Sequence, residues 1–206
     1  MKKLLISGFD PFGGEAINPS YEAVKLLPKV IGEYELTKIE LPTVFGRAAE
    51  IMIEKIEEIR PDAVICVGQA GGRAGVTPEF VAINVADAAS PDNAGVLRSG
   101  ETLVDGTPDA YFATIPVRKM VEALKAAEIP SALSYTAGAY VCNCVMYHAL
   151  HNAKAGQTAG FVHVPFSTAQ SAKRNTPAPS LPPEMIAKAV EICVRTAIVD
   201  RMENNG

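Results

Sequence analysis

Apolar residues along this chain come in short blocks that switch between the period of a strand and the spacing of a helix. Residues 3–7 form a short apolar run and predict a strand. A turn-rich loop follows over 8–20, and Ser20 is positioned to cap a helix over 21–27, its hydroxyl accepting an orphan amide hydrogen bond. Residues 35–41 alternate as a strand does. Across 44–60, Ala48, Ile51, Met52, Ile56 and Ile59 fall at helical spacing, and Pro61 ends that helix. The unbroken apolar run 63–67 predicts a buried parallel strand. Beyond it the pattern predicts a strand over 80–85 and a long polar segment over 87–110. A helix over 111–128 carries Val117, Met120, Val121 and Leu124 as its apolar stripe. A strand over 131–135, a helix over 140–151 and a strand over 160–165 come next. The Ser-, Pro- and charge-rich stretch 167–180 predicts a mobile loop, and a closing helix spans 182–202.

Strands separated by helices imply an α/β fold with a mainly parallel, twisted sheet covered on both faces. Sites in such folds gather at the carboxyl ends of the strands. That brings GFDPFGG (8–14), GQAGGR (68–73), TAGAYVC (136–142) and HVPF (163–166) close together. The length of 206 residues favours one domain over 1–206.

Composition narrows the function classes. Apolar residues make up 48% and charged residues 20%, enough to bury a core. The net charge is −4 and no run of five or more basic residues occurs, which argues against a nucleic-acid partner. No apolar run approaches the roughly 20 residues that cross a bilayer, so no membrane partner is expected. The start, MKKLLISGFDPFGG, has the two lysines of a signal peptide, but its apolar run at 4–6 is too short for one. A cytoplasmic protein with reduced cysteines is expected.

The four cysteines (66, 142, 144 and 193) are scattered, and the three histidines are His148, His151 and His163. Cys142 falls in the first turn of the helix expected over 140–151. Unpaired amides and the helix dipole favour negative charge there, which lowers a thiol pKa from its usual ~8.5. The same amides can hold an oxyanion. The other reading of Cys142 is a small buried apolar residue. Cys144 points about 200° away around the helix and aligns with His148 and His151. That stripe reads either as a metal site lacking a fourth ligand or as an outer helix face. His163, at a strand end, can serve as the base for a thiol or sit satisfied in the core. Glu79 can orient an imidazole or be an ordinary loop glutamate. Phe9 and Phe12 can wall a flat apolar ligand or pack under their loop. The GQAGGR loop can cradle phosphate but matches no dinucleotide or P-loop pattern.

Six stretches then fall in a distinctive order: GFDPFGGEAINPS (8–20), GQAGGR (68–73), TPEFVAIN (77–84), PDN (91–93), SYTAGAYVCNCVMY (134–147) and GFVHVPF (160–166). Together they resemble the pyroglutamyl peptidase I family of cysteine peptidases, over nearly the whole chain. The resemblance implies a three-layer α/β/α sandwich and an enzyme that removes N-terminal pyroglutamate from peptides through a thioester acyl-enzyme. It implies a cytosolic homotetramer that uses no metal or cofactor. By matching position it implies Cys142 as nucleophile, His163 as general base and Glu79 as orienting carboxylate. Phe9, Phe12, Asn18 and Gln69 would contact the substrate, and Cys144 inherits no role. Such a lactam is uncharged, so its pocket needs apolar walls and amide hydrogen bonds.

The chain departs from the family pattern at two places. Phe80 follows Glu79 where the family commonly has Arg. Ala89, two residues before PDN, stands where a second Arg near the site is common, and Ser90 replaces an apolar residue. Two alternatives remain at this point: a non-catalytic lactam-binding protein, and a phosphate-using enzyme of the nucleoside phosphorylase kind working through GQAGGR.

Overall fold

The computed structural model describes residues 1–204. Residues 205 and 206, counted in the expected single unit, lie outside the described residues. The chain runs β1 (Lys2–Phe9), α1 (Pro19–Leu26), β2 (Val30–Ile31), β3 (Tyr34–Leu41), α2 (Arg47–Ile59) and β4 (Ala63–Gln69). It continues through β5 (Thr77–Glu79), β6 (Val81–Ile83), β7 (Ala110–Phe112), α3 (Val117–Ala126), α4 (Val141–His151) and β8 (Thr158–Val164). It closes with β9 (Phe166–Ser167), α5 (Thr168–Ala172), β10 (Ser180–Leu181) and α6 (Pro183–Asn204). No described helix is long and apolar enough to cross a membrane.

The main sheet has the order β2-β3-β1-β4-β8-β5. Its four inner strands are parallel, and the edge strands β2 and β5 are antiparallel. Successive residues of each inner strand point to opposite layers. Leu4, Ile6, Ile65, Val67, Val162 and Val164 pack with α1, α3 and α6. Leu5, Val64, Cys66 and Phe161 pack with α2 and α4. Both faces of the sheet are therefore dry, and the result is the expected α/β/α sandwich. Connections from β1 leave to β3 on one side and return to β4 on the other, so the switch point of the sheet lies between β1 and β4.

Several local expectations are corrected. The cap of α1 is Asn18, whose side chain accepts from Ser20 N. Ser20 instead donates to Asn18 and accepts the Phe9 amide, tying the helix start to the end of β1. The strand expected over 80–85 is the shorter β6, and it is preceded by an unexpected β5, because the chain breaks at Phe80 and pairs with β8 before it and with β7 after it. Residues 110–112 are strand, not helix, and α3 begins only after Pro116. The apolar stripe was correct, but Tyr111 and Phe112 belong to the β7 pairing. The strand expected over 131–135 makes only single bridges, at Ser131 and Ser134. Pro78 beside it lacks the donor that a ladder needs. The stretch 167–180 holds two short strands and α5, locked by a Ser167–Gln170 capping box. The S-x-x-Q signal for that box is visible in the sequence.

Candidate active site

Cys142 is the second residue of α4, and no side chain caps the start of that helix. The first amides of a helix have no partner within it. One of them, the Cys142 N–H, faces its own Sγ. The helix end is held instead by Asn143, which is fully buried. Its Oδ1 accepts the Ile83 amide at 2.9 Å, and its Nδ2 donates to the Ile83 and Val85 carbonyls at 2.8 and 3.0 Å. The side chain acts as an extra rung on β6 and fixes where the thiol starts.

The thiol needs a seat on the sheet, and Gly68 supplies it. A Cβ at Gly68 would lie 2.8 Å from Cys142 Sγ and 2.6 Å from Phe161 Cζ, closer than real atoms approach. Gly68 stands opposite His163 in the β4–β8 register. His163 shares a strand face with Phe161, two residues earlier, so it points to the α4 layer. Its ring rests on Phe161 with centroids 4.7 Å apart. His163 Nδ1 donates to Glu79 Oε1 at 2.7 Å, and both side chains are buried. That bond selects the tautomer with Nε2 as the basic nitrogen.

Charge is arranged tightly around this cluster. Burial pushes the Glu79 carboxyl up, but the His163 hydrogen bond and charge, then Ser134 and Arg73, outweigh it and hold the group below the usual carboxylate value. Burial pushes the His163 imidazole down against the pull of Glu79. Burial, and then the Glu79 charge, push the Cys142 thiol up to about 12, against Arg73 and its own amide. The expected lowering of this thiol by the helix terminus is thus corrected, since desolvation and a nearby carboxylate outweigh the amides. Burial thus favours the thiol and the neutral imidazole, while the hydrogen bonds and charges around Glu79 favour its ionised form. Cys142 is also the only one of the four cysteines that is not fully buried.

The four residues expected to contact substrate are in different states. Phe9 ends β1, buried against Phe161 with centroids 6.3 Å apart. Phe12 is half-buried and 6.4 Å from the ring of Tyr140, which also meets Phe45 edge-on at 5.4 Å. Asn18 is occupied at both ends of its amide, donating to the Asp10 carbonyl at 2.8 Å and capping α1. Gln69 Oε1 accepts from Gln170 Nε2 at 2.9 Å. PDN works as a clamp: Asp92 accepts the Phe45 amide, and Asn93 donates to the Pro11 carbonyl, joining the aromatic loops.

The other candidates are not brought to this cluster. Cys144 is buried, and His148 Nδ1 bonds the Cys144 carbonyl at 2.9 Å. His151 shares a hydrogen bond with the Tyr111 hydroxyl at 2.8 Å. Among the described residues no three ligating side chains gather as a metal site. Two glycines of GQAGGR serve packing, and the third, Gly72, stands at a φ of 89° with open space around it. Gly68 lies under Cys142 and Phe161, and Gly71 lies under the Phe166 ring, where a Cβ would sit 2.1 Å from Cζ. Phe80 turns away from Glu79 into an aromatic group with Phe112 and Tyr135, under the Arg118 guanidinium. Ala89 and Ser90 are exposed. Sequence reasoning missed Asn143, Gln170 and Arg73, which bonds Glu79. For Gln170 the capping-box spacing was available; for the other two only the folded arrangement reveals a partner.

A thiol, an imidazole and a carboxylate gathered at one end of an α/β/α sandwich are the parts of a cysteine hydrolase. A sequence model of the pyroglutamyl peptidase family matches residues 2–200. The chain is 50% identical over 199 residues to the pyrrolidone-carboxylate peptidase of Thermococcus onnurineus, covering 95% of this chain and 98% of that one. It is 52% identical over 177 residues to that of Enterococcus faecalis, covering 84% and 83%. Its fold superposes on the crystal structure of Bacillus amyloliquefaciens pyroglutamyl peptidase I with a TM-score of 0.93, at 41% identity over 98% of both chains. This chain belongs to the pyroglutamyl peptidase family.

Proposed function

We propose that this chain releases pyroglutamate from the N-terminus of peptides through a Cys142–His163–Glu79 triad and a thioester acyl-enzyme. The observation that carries this reading is the buried Glu79–His163 hydrogen bond beside the thiol seated on Gly68. Because burial favours the neutral thiol and imidazole, proton transfer from Cys142 Sγ to His163 Nε2 accompanies attack on the pyroglutamyl carbonyl. The open amides at the start of α4 receive the oxyanion. His163 then protonates the leaving amine as the C–N bond breaks, and water, deprotonated by His163, cleaves the thioester. Glu79 keeps the imidazole in the working tautomer and stabilises its charged form.

Phe9, Phe12 and the neighbouring aromatic rings supply apolar walls for the lactam ring. The Gln69 amide and the loop held by Asn18 supply its hydrogen bonds. The whole chain acts as one peptidase unit, in the cytoplasm and as a homotetramer, as the family resemblance implies. Turnover of a pyroglutamyl chromogenic amide tests the reaction. Mass spectrometry of the acid-quenched enzyme tests the intermediate, with an adduct expected on the Cys142 peptide. An adduct on another cysteine, or none during turnover, would overturn the thioester assignment. Sedimentation velocity tests the tetramer, and a monomer at working concentration would exclude it.

A further inference from the structure

We propose that Arg73 is a positioning residue for the reaction, holding the Glu79 carboxylate in the orientation that His163 requires. The inference rests on the triad reading above. Arg73 lies on the loop after β4, and its Nη1 donates to Glu79 Oε1 at 2.5 Å and to Thr77 Oγ1 at 2.5 Å. Its Nη2 reaches the Thr136 carbonyl at 3.4 Å, on the segment that leads into α4. The same Glu79 oxygen accepts His163 Nδ1. One carboxylate oxygen is therefore pinned from two directions, by the imidazole it orients and by a fixed guanidinium.

Glu79 is fully buried, whereas the Arg73 side chain is 30% exposed. A buried carboxylate needs a partner charge or it takes up a proton. His163 also lowers the Glu79 pKa through its hydrogen bond and charge, but burial pushes the imidazole itself toward the neutral form, whereas a guanidinium keeps its charge. Phe80 cannot be that charge, since its ring lies in the aromatic group with Phe112 and Tyr135. The charged and titratable groups facing Glu79 are His163 on β8, Cys142 on α4 and Arg73. Arg73 is the cation in this set. It acts on all three members, lowering the pKa of Glu79, His163 and Cys142 alike. It thus keeps the carboxylate ionised, the imidazole free to accept, and the thiol closer to release of its proton.

A structural strut would explain the hydrogen bonds to Thr77 and Thr136 but not a change in titration, so the test must read pH. Arg73→Met removes the charge at similar length, and Arg73→Lys keeps the charge without the fork. For Arg73→Met, kcat is expected to fall by about tenfold to a hundredfold with KM within about threefold. The acid limb of kcat/KM is expected to move up by at least about half a pH unit, since Glu79 and His163 both lose a cation. Arg73→Lys is expected to return the limb to its wild-type position and recover most of kcat. Unchanged kcat and limb in Arg73→Met would overturn the proposal. So would equal losses in both variants with an unmoved limb. Should Arg73→Met fail to fold in a thermal melt, Arg73→Lys decides: a displaced limb there overturns the proposal, and a wild-type limb supports it. Cys142→Ser, assayed alongside, separates the two readings. Activity retained in Cys142→Ser sinks the triad itself, whereas a dead Cys142→Ser beside a wild-type-like Arg73→Met sinks only the role of Arg73.

Discussion

Helix α4 carries a cysteine on each of two faces, and the surroundings of the two thiols are built differently: Cys144 has His148 on the same helix, whereas the histidine beside the seat of Cys142 comes from β8. Cys144 and His148 meet because residues four apart on a helix are neighbours, with Sγ and Nδ1 3.7 Å apart. That proximity is local and leads nowhere chemically. His148 Nδ1 is taken by the Cys144 carbonyl, and among the described residues no carboxylate bonds the ring. Burial pushes the Cys144 thiol up to about 11. Cys142 and His163 belong to different elements that both border Gly68: the thiol lies over it, and His163 stands opposite it in the β4–β8 register. There the imidazole has a buried carboxylate behind it, and the carboxylate has a guanidinium behind it. Raised thiols occur on both faces, so the resting pKa is not what separates them. The separation lies in whether a base with a fixed tautomer stands ready to take the proton.

The largest test of this contrast is substitution of the two thiols. Cys142→Ser is expected to lose about a thousandfold or more in kcat/KM on a pyroglutamyl amide. Cys144→Ser should stay within about threefold. Comparable losses in both would erase the distinction. Next is Glu79→Gln, expected to lower kcat by about a hundredfold or more, because a neutral amide no longer fixes the His163 tautomer. The corresponding change on the other face, His148→Asn, should leave steady-state kinetics nearly unchanged, within about twofold. Gly68→Ala probes the seat itself. The added methyl would collide with Sγ and the Phe161 ring, at an expected cost of about 1–3 kcal/mol in denaturant unfolding and roughly tenfold in kcat. A fully active and stable Gly68→Ala would show that the seat is loose.

Smaller effects should appear in labelling and in pH. Iodoacetamide should modify Cys142 first, because Cys66, Cys144 and Cys193 are buried. Its rate should keep rising above neutral pH instead of levelling off, as the thiol lies near 12. A plateau near neutrality, read by peptide mass spectrometry, would mean that a thiolate pre-exists. The smallest expected effect is alkaline destabilisation. Folded thiols at Cys66, Cys142 and Cys193 stand near 12 and Cys144 near 11, all raised. Their contribution is intact below the unfolded value of about 8.5 and is lost progressively as pH rises toward the folded values. Denaturant unfolding between about pH 8 and about pH 11 should show this decline, and Cys144→Ser should flatten it slightly.

Much of the architecture was legible because it rests on local patterns. The apolar run at 63–67 is buried at every residue, and the stripes of α2 and α3 mark the faces that those helices bury. Errors fell where a neighbour in space overrides local preference. Tyr111 and Phe112 continue an apparent helix but pair with β6. Ser20 has the chemistry of a cap, yet Asn18 takes that role because Ser20 is held by the end of β1.

At the candidate site the division follows the same line. Residue types made Cys142, His163 and Glu79 candidates with their alternatives open, and the family resemblance gave each its expected role. Their motifs also carried the family. What no linear pattern contains is the partner of each group: Gly68 beneath the thiol, Asn143 on the β6 edge, Arg73 on Glu79. Nor did it contain the protonation state. A helix terminus read alone lowers a thiol pKa, but burial and a nearby carboxylate raise this one, and both arise only when distant segments close around it. Chain chemistry is a property of residues, whereas desolvation, register and contact are properties of the packed whole.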